Sequence, residues 1–357
     1  MCAGSDPQHE PLDLASVGRV EPDRFAPKEL SQVCAQYELG KIKSIREFHR
    51  GSPQAPKVII EAARGKFLLK RRSPRTSDPF RVAFVHGIQL YLHAHGFPTP
   101  RIIGTRDDNN SIYQRDGMVY ELFRFVEGQP ATGSDDETVG AGMTLGRLHK
   151  LIVGHRPAWD AGKGEPRVGT DIDLMLEAVC EREPGCEEMV VRIRRPAAEA
   201  AHALDHSSLA GRETRIIHGD WHPGNLIYRD GQVVAVLDFD SARYCPPLVE
   251  LANGLLQFSM TRVGPDPAQW PYEPDEHRMS LFWNGYLSEG VDWIAPDDAT
   301  LVPWLMIELL VAEAVRPIVE TGRFGHLDAV TCLKMVDRKC AWLRENASSM
   351  AGRLGVQ

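Results

Sequence analysis

The spacing of apolar residues changes part-way along this sequence, and that change restricts the fold more than any other feature. From about residue 37 to 72, short apolar runs alternate with Gly, Pro and Ser, which predicts three strands joined by turns. After "EGQPATG" at 127–133, most segments repeat their apolar residues with a helical period. The sequence therefore predicts an α+β fold with a small antiparallel β-rich N-lobe and a larger α-helical C-lobe.

The N-lobe contains one predicted helix and a second predicted hairpin. "FRVAFVHGIQLYLHAHG" places Phe84, Ile88 and Leu92 on one helical face and stops at Gly96. "SIYQRDGMVYELFRF" is typical of two strands that turn at residues 116–117. We assign a loose N-terminal arm to residues 1–29, the N-lobe to 30–126, the C-lobe to 127–345 and a C-terminal tail to 346–357.

The composition limits the partners of the chain. A net charge of -8 argues against a nucleic acid or an anionic membrane, because such partners attract a basic surface. No stretch approaches about twenty uninterrupted apolar residues, so a membrane-spanning helix is not predicted. Seven cysteines without paired spacing favour reduced thiols and a cytoplasmic location.

Residues 218–225, "HGDWHPGN", concentrate polar side chains on a loop that precedes a predicted hairpin. If residues 230–231 form the turn of that hairpin, Asn225 lies opposite Val236 and diagonal to Asp238. Side chains at positions 236 and 238 share a face because a strand alternates with a period of two. The sequence therefore predicts that Asn225 and Asp238 project toward one ligand.

This set of oxygen atoms suits phosphoryl transfer. A carboxylate and an amide oxygen form a hard-oxygen site for magnesium, while Asp220 is left to accept a proton from an attacking hydroxyl. The alternative is a zinc hydrolase site on His218, Asp220 and His222, since imidazoles are good zinc ligands. That alternative leaves Asn225 and Asp238 without a role.

Four segments resemble those of a known family. "HGDWHPGN" followed by "VLDFDSA", with "TLGRLHKL" before them and "ELLVAEAVRPIVETGRFG" after them, resembles the aminoglycoside phosphotransferase-like family, particularly its homoserine-kinase-like and stress-response-kinase-like branch. The resemblance covers roughly residues 36–345. It implies a bilobal protein-kinase-like fold and an ATP- and magnesium-dependent transfer of phosphate to a hydroxyl of a small molecule.

The resemblance also implies roles for matching residues. Asp220 would be the catalytic base, Asn225 and Asp238 the magnesium ligands, and His218 the histidine that braces the loop. Lys70, in "KFLLKRR", would contact the phosphates of ATP. Backbone groups of residues 121–126 would form the hinge that pairs with the adenine edge, and they belong chiefly to Glu121, Leu122, Phe123, Arg124 and Phe125.

Two parts of the N-lobe depart from the family pattern. The glutamate that the family usually places in the N-lobe helix has no counterpart, and Val85 and His86 stand near its position. Another group is therefore expected to hold Lys70. The loop "HRGSPQAPK" has a single glycine, and its candidate donors to phosphate are Gly51, Ser52 and Gln54.

The acceptor is less closely defined by the sequence, and its candidate contacts are Trp221, His222 and Asp240. Between residues 265 and 298, eight Asp or Glu accompany a single Arg, which would suit an amino-bearing or hydroxy-amino-acid-like acceptor.

Two other functions stay open: a protein Ser/Thr kinase of the stress-response type and a catalytically weak pseudokinase that binds nucleotide. The short connection "FDSARYC" leaves little platform for a peptide and favours a small acceptor.

Overall fold

A five-stranded antiparallel sheet forms the N-lobe of the computed structural model, which describes residues 23–49, 51, 54–159, 171–261, 269–295, 297–325 and 327–355. Its strands are β1 (Ile42–Glu47), β2 (Lys57–Ala62), β3 (Gly65–Arg71), β4 (Tyr113–Arg115) and β5 (Met118–Arg124). Their order in the sheet is β1-β2-β3-β5-β4. The three strands and the second hairpin predicted from the sequence are confirmed.

The two faces of this sheet differ in chemistry. On one face, apolar side chains such as Leu69 form a buried cluster with α1 (Pro27–Cys34). The other face carries Lys57, Lys70 and Glu121, which lie opposite one another in the β2–β3 and β3–β5 pairings. Because residues opposite each other in neighbouring strands share a face, these three charged side chains form one row across the sheet.

The predicted N-lobe helix is α2 (Pro79–Ala94), capped by the carboxylate of Asp78. Phe84, Ile88 and Leu92 are buried, as their spacing predicts. They join the main hydrophobic core of the C-lobe and not the cluster beneath the sheet. The position of α2 therefore depends on the C-lobe as much as on its own lobe.

The C-lobe is mainly helical in the described residues, which confirms the predicted α+β fold class. Its helices are α3 (Asp135–Leu151), α4 (Ile172–Arg182), α5 (Glu187–Asp205), α6 (Pro247–Ser259), α7 (Glu276–Ser288), α8 (Asp298–Thr321) and α9 (Ala329–Gly355). Three short antiparallel pairs are β6 (Arg215–Ile217) with β9 (Arg243–Cys245), β7 (Leu226–Arg229) with β8 (Gln232–Val236), and β10 (Arg323–Phe324) with β11 (Leu327–Asp328). No helix among the described residues is both long enough and apolar enough to cross a membrane.

Helix α5 contains Pro196 and continues past it to Asp205, with the proline buried. The boundary drawn at residue 30 falls within α1, and the boundary drawn at residue 345 falls within α9. The remaining residues of the arm, 1–22, and residues 356–357 of the tail lie outside the described residues.

Both predicted Asp-Gly turns are confirmed by their backbone conformations. Asp116 and Gly117 connect β4 to β5 with φ angles of 50° and 74°. Asp230 and Gly231 connect β7 to β8 with φ angles of 50° and 75°. Positive φ at both central residues is the type I′ pattern, which Asp-Gly favours and which matches the twist of a hairpin.

Residues 125–129 connect the two lobes. Gln129 forms an antiparallel bridge with Tyr228 of β7 through backbone hydrogen bonds of 2.7 and 2.8 Å. A Cβ atom at Gly128 would lie 2.4 Å from Cγ2 of Ile227, so only glycine fits there. The C-lobe end of the connection is therefore fastened to the β7–β8 hairpin.

Candidate active site

The polar loop, residues 218–225, is anchored by a buried histidine. Nε2 of His218 donates to the carbonyl oxygen of Leu237 at 2.8 Å, and Nδ1 accepts from the backbone N–H of Asp220 at 3.3 Å. The ring also packs edge-on against Phe239. Since both ring nitrogens bind backbone groups, His218 is unsuited to ligate zinc. Among the described residues, no group of three or more His, Cys, Asp or Glu could hold a metal.

Asp220 and Asn225 face each other across the loop. Nδ2 of Asn225 donates to Oδ2 of Asp220 at 2.8 Å and to its backbone oxygen at 3.0 Å. Burial opposes the negative charge of Asp220, but the hydrogen bond and charge of His222, with His218 and Asn225, lower its pKa below the usual value. Asp220 is therefore ionised at neutral pH and can accept a proton.

The hairpin after the loop has a different register from the one predicted. Leu226, and not Asn225, pairs with Val236, because the ladder shifts by one residue between Ile227 and Tyr228. This irregularity leaves the two strands with unequal numbers of residues, which turn type alone cannot reveal. The backbone oxygen of Asn225 instead accepts from the N–H of Leu237 at 2.8 Å.

Asp238 follows the residue that is bonded to Asn225, so both lie at the same end of the hairpin. Its φ of 59° places it in the left-handed region, which is unfavourable for a residue with a side chain. Its side chain is 49% exposed, so the carboxylate is accessible from the cleft between the N-lobe sheet and the polar loop. Oδ1 of Asp238 lies 4.0 Å from Nζ of Lys70.

Lys70 lies among carboxylates from two parts of the chain. Its Nζ is 2.9 Å from Oδ2 of Asp240, 3.9 Å from Oε2 of Glu121 and 4.0 Å from Oδ1 of Asp238. Burial opposes its positive charge, but Glu121, Asp240 and Asp238 together raise the pKa of Lys70 above its ordinary value. Asp240, predicted as an acceptor contact, binds Lys70 and Arg72 of the N-lobe instead.

Glu121 is fully buried and directs its carboxylate toward Lys70. Arg72 contacts both of its oxygens, with Nε 2.8 Å from Oε2 and Nη2 2.9 Å from Oε1. Nε2 of His86, on α2, lies 2.6 Å from Oε1. Burial favours the neutral acid, but Lys70, His86 and Arg72 hold the pKa of Glu121 well below its usual range. Arg72 and the side chain of Glu121 had no role in the sequence-based prediction.

The hinge predicted at residues 121–126 needs revision, because β5 uses most of those backbone groups within the sheet. The oxygen of Leu122 accepts from Ile103, and the N–H of Phe125 donates to Lys66. Glu121, Phe123 and Arg124 are likewise paired along β5, as shown by the ladder with β3 and the bond from Arg124 to Arg101. By contrast, the N–H groups of Val126 and Glu127 have no hydrogen-bond partner in the described part of the chain.

Strand β2 brings a second lysine to the cleft. Lys57 lies directly opposite Lys70 in the β2–β3 ladder. A Cβ atom at Gly51, where φ is 85°, would lie 2.6 Å from Nζ of Lys57. Burial and then the charge of Lys70 lower the pKa of Lys57. Gln54 is exposed, and Ser52 lies outside the described residues.

A buried polar network supports the start of the polar loop. Glu250, on α6, accepts from the backbone N–H groups of His218, at 2.9 Å, and Gly219. Nε2 of His149 lies 2.9 Å from the same carboxylate, and Nδ1 of His149 lies 2.9 Å from the hydroxyl of Tyr286. Sequence reasoning missed Glu250 and His149, although His149 lies in "TLGRLHKL", one of the segments that carried the family resemblance.

The acceptor side of the loop contains His222 but not the indole of Trp221. Trp221 is buried and packs against the ring of His218. His222 is about one-third exposed, and its Nε2 lies 3.5 Å from Oδ2 of Asp220. Burial opposes protonation, but Asp220 and Glu313 of α8 are among the groups that raise the pKa of His222. Glu313 also accepts a hydrogen bond from Nε2 of Gln257, on α6, at 2.7 Å.

Comparison with known proteins gives a family and a fold. The family model described as "Phosphotransferase enzyme family" matches residues 44–282. No curated protein matches the sequence. Among solved structures, an aminoglycoside phosphotransferase from Alicyclobacillus acidocaldarius is 17% identical, with a TM-score of 0.65 over 94% of this chain and 98% of that chain.

Two further structures have the same fold. An amicoumacin kinase in complex with AMP-PNP, Ca2+ and Ami is 14% identical, with a TM-score of 0.64 over 91% of this chain and 94% of that chain. A microcompartment-associated aminopropanol kinase is 15% identical, with a TM-score of 0.63 over 92% and 99%. At these identities the likeness concerns the fold, and it confirms the bilobal kinase-like architecture expected from the sequence.

Proposed function

This chain belongs to the phosphotransferase enzyme family, and on that premise we propose that it is an ATP- and magnesium-dependent kinase of a small hydroxylated molecule. One observation carries the proposal: the N-lobe lysine Lys70 lies within 4.0 Å of Asp238, at the end of the hairpin where Asn225 and Asp220 also lie. Phosphoryl transfer requires a cation, metal ligands and a proton acceptor to converge in this way.

Asn225 and Asp238 fit magnesium by the chemistry of their donors. Among the described residues, the side-chain hydrogen bonds of Asn225 use Nδ2 only, which leaves its amide oxygen for a cation. The carboxylate of Asp238 is half-exposed and is not hydrogen-bonded to another described side chain. Magnesium bound by these two oxygens would neutralise phosphate charge.

The other residues would bind and orient the two substrates. Lys70 and Lys57 would contact phosphate oxygens from the N-lobe face of the cleft. The N–H groups of Val126 and Glu127 would pair with the adenine edge. Asp220, held by Nδ2 of Asn225, would accept the proton of the acceptor hydroxyl as that oxygen attacks the γ-phosphate.

A short connection favours a small acceptor over a protein substrate. Only residues 239–246 separate Asp238 from α6, and three of them form β9, which pairs with β6. This leaves no long segment on which an extended peptide could dock. Glu313, near His222, adds negative charge on the acceptor side and favours an acceptor with an amino group.

An acceptor screen tests the proposal. The purified protein would be incubated with Mg2+, γ-labelled ATP and small alcohols with and without amino groups, then with a protein lysate. We expect label on a small amino alcohol, and none with the Asp220→Asn control. Tight ATP binding without transfer to any acceptor would contradict the proposal and favour a nucleotide-sensing pseudokinase. Label on lysate proteins alone would favour a protein kinase.

A further inference from the structure

Lys70 must keep its position in the cleft although its nearest partner, Asp240, is partly exposed and its other carboxylate neighbour in the loop, Asp238, is a proposed metal ligand. We propose that Glu121 of β5 is the fixed carboxylate that positions Lys70, that His86 of α2 holds Glu121, and that Asp240 is the partner that Lys70 exchanges for phosphate. This inference rests on the proposed function, since it concerns the same nucleotide site.

The sheet itself fixes the spacing of Lys70 and Glu121. The two residues lie directly opposite each other in the β3–β5 ladder, and Nζ is 3.9 Å from Oε2. The side chain of Glu121 is only 1% exposed, so water does not compete for it. The distance between the backbones of Lys70 and Glu121 cannot change substantially unless the ladder between the central strands breaks.

Both oxygens of Glu121 are held in place by other groups. Arg72 contacts Oε1 and Oε2, and Nε2 of His86 lies 2.6 Å from Oε1. Arg72 and His86 are 3% and 1% exposed; Arg72 directly follows β3, and His86 lies on α2. With Oε1 hydrogen-bonded to Arg72 and His86 and Oε2 in ionic contact with Arg72, the carboxylate is a fixed reference for the ammonium group.

Asp240 has the properties of the exchangeable partner. Its carboxylate is 29% exposed and belongs to the loop after β8, outside the N-lobe sheet. Lys70 and Arg72 balance Glu121 and Asp240 in formal charge. An arriving phosphate competes with Asp240 for Lys70, while Glu121 keeps the ammonium group from moving away with either partner.

The position of Glu121 also changes the role of α2. A carboxylate on a helix would leave the lysine whenever the helix moved. In this protein a movement of α2 would break the His86 contact but would leave Glu121 beside Lys70 on the sheet. We therefore expect replacement of His86 to have a smaller effect than replacement of Glu121.

A double-mutant cycle tests this inference. The affinities of AMP-PNP with Mg2+ and of adenosine would be measured by calorimetry for the parent protein, Glu121→Gln, Lys70→Met and the double variant. We expect Glu121→Gln to weaken AMP-PNP binding about tenfold and to leave adenosine binding unchanged. The double variant should bind AMP-PNP no more weakly than Lys70→Met, because Glu121 acts through Lys70.

A purely structural role for Glu121 predicts different results. It would weaken adenosine and AMP-PNP binding together, and its effect would persist in the Lys70→Met background. Either result, or unchanged AMP-PNP affinity in Glu121→Gln, would overturn the inference and leave the proposed function intact. A parent protein that does not bind AMP-PNP would end both.

A second variant covers the case in which Glu121→Gln does not fold. His86→Gln should weaken AMP-PNP binding about threefold in the parent and not at all in the Lys70→Met background. Gln89→Leu, on the same helix, is the matched control and should leave the affinity unchanged. A loss in His86→Gln that persists without Lys70, or no loss at all, would overturn the inference.

Discussion

The two walls of the cleft hold their charged groups in different ways. The polar loop is supported from beneath by Glu250 and His149, which are buried in the C-lobe. The opposite wall is a row of charges on the N-lobe sheet, in which Lys70 lies between Lys57 and Glu121 and also contacts Asp240 across the cleft. The C-lobe wall is therefore organised by protein contacts alone, whereas under the proposed function phosphate would replace Asp240 as a partner of Lys70 on the N-lobe wall.

Asp220→Asn gives the largest expected effect, because it removes the proposed proton acceptor of the C-lobe wall. The amide cannot accept the proton of the acceptor, so kcat should fall by about 10³-fold. AMP-PNP affinity and the unfolding midpoint should stay close to those of the parent. Steady-state kinetics with an acceptor from the screen provides the measurement. A variant with parental kcat would remove Asp220 from the chemistry.

Glu250→Gln should affect both stability and rate, because it disturbs the support of the loop and not the substrates. An amide in place of the buried carboxylate places its own N–H donors against the backbone N–H groups of His218 and Gly219. The lost hydrogen bonds should lower the free energy of unfolding by about 2 kcal/mol. The kcat should fall by about 10²-fold, because small displacements of a catalytic group are costly. Denaturant titration and kinetics on the same preparation measure the two effects. Loss of AMP-PNP affinity alone would contradict the comparison.

Lys57→Met tests the N-lobe wall. We expect the affinity for AMP-PNP to fall about tenfold, the size of a hydrogen bond to a charged group, with adenosine affinity unchanged. Stability should not fall, since the substitution removes the repulsion between the charges of Lys57 and Lys70. The exposed Lys41→Met is the control for a change in net charge. Equal losses in both lysine variants would point to a long-range field and not to phosphate contact.

His222→Ala should have the smallest effect, because His222 lies at the partly exposed end of the C-lobe wall. Its ion pair with Asp220 is partly exposed and contributes about 1 kcal/mol or less, so the KM of the acceptor should rise about fivefold or less with kcat nearly unchanged. His218→Ala, which loses two backbone contacts, should instead lower kcat. Similar kinetic changes in the two variants, with stoichiometric zinc in the parent, would revive the hydrolase alternative.

Residues close together in sequence were the easier part to predict. The Asp-Gly turns and the helix α2 follow from local patterns whose physics is contained in a few consecutive residues, whereas the roles of Asp220, Asn225 and Asp238 stay predictions. The register of β7 and β8 was wrong because an irregular ladder is decided by packing on both strands and not by the turn.

The supporting residues could not be predicted because their partners are distant in the chain. Glu250 supports a loop 31 and 32 residues before it, and Glu121 reaches Lys70 across the β3–β5 ladder. The pairing of Lys57 with Lys70 was within reach, since the break "RGK" between β2 and β3 marks a hairpin. The predicted hinge overlaps β5, because the end of that strand depends on pairing with residues 101–103, which are distant in the chain.

The bridge between Gln129 and Tyr228 has a mechanical consequence. Because it fastens the lobe connection to the β7–β8 hairpin, any rotation of the lobes at this connection takes place about the bonds of residues 125–128. Two of these residues, Val126 and Glu127, carry the N–H groups that we assign to adenine. A base bound there would restrict rotation about the same bonds. Nucleotide binding and the opening of the lobes would therefore depend on the same four residues.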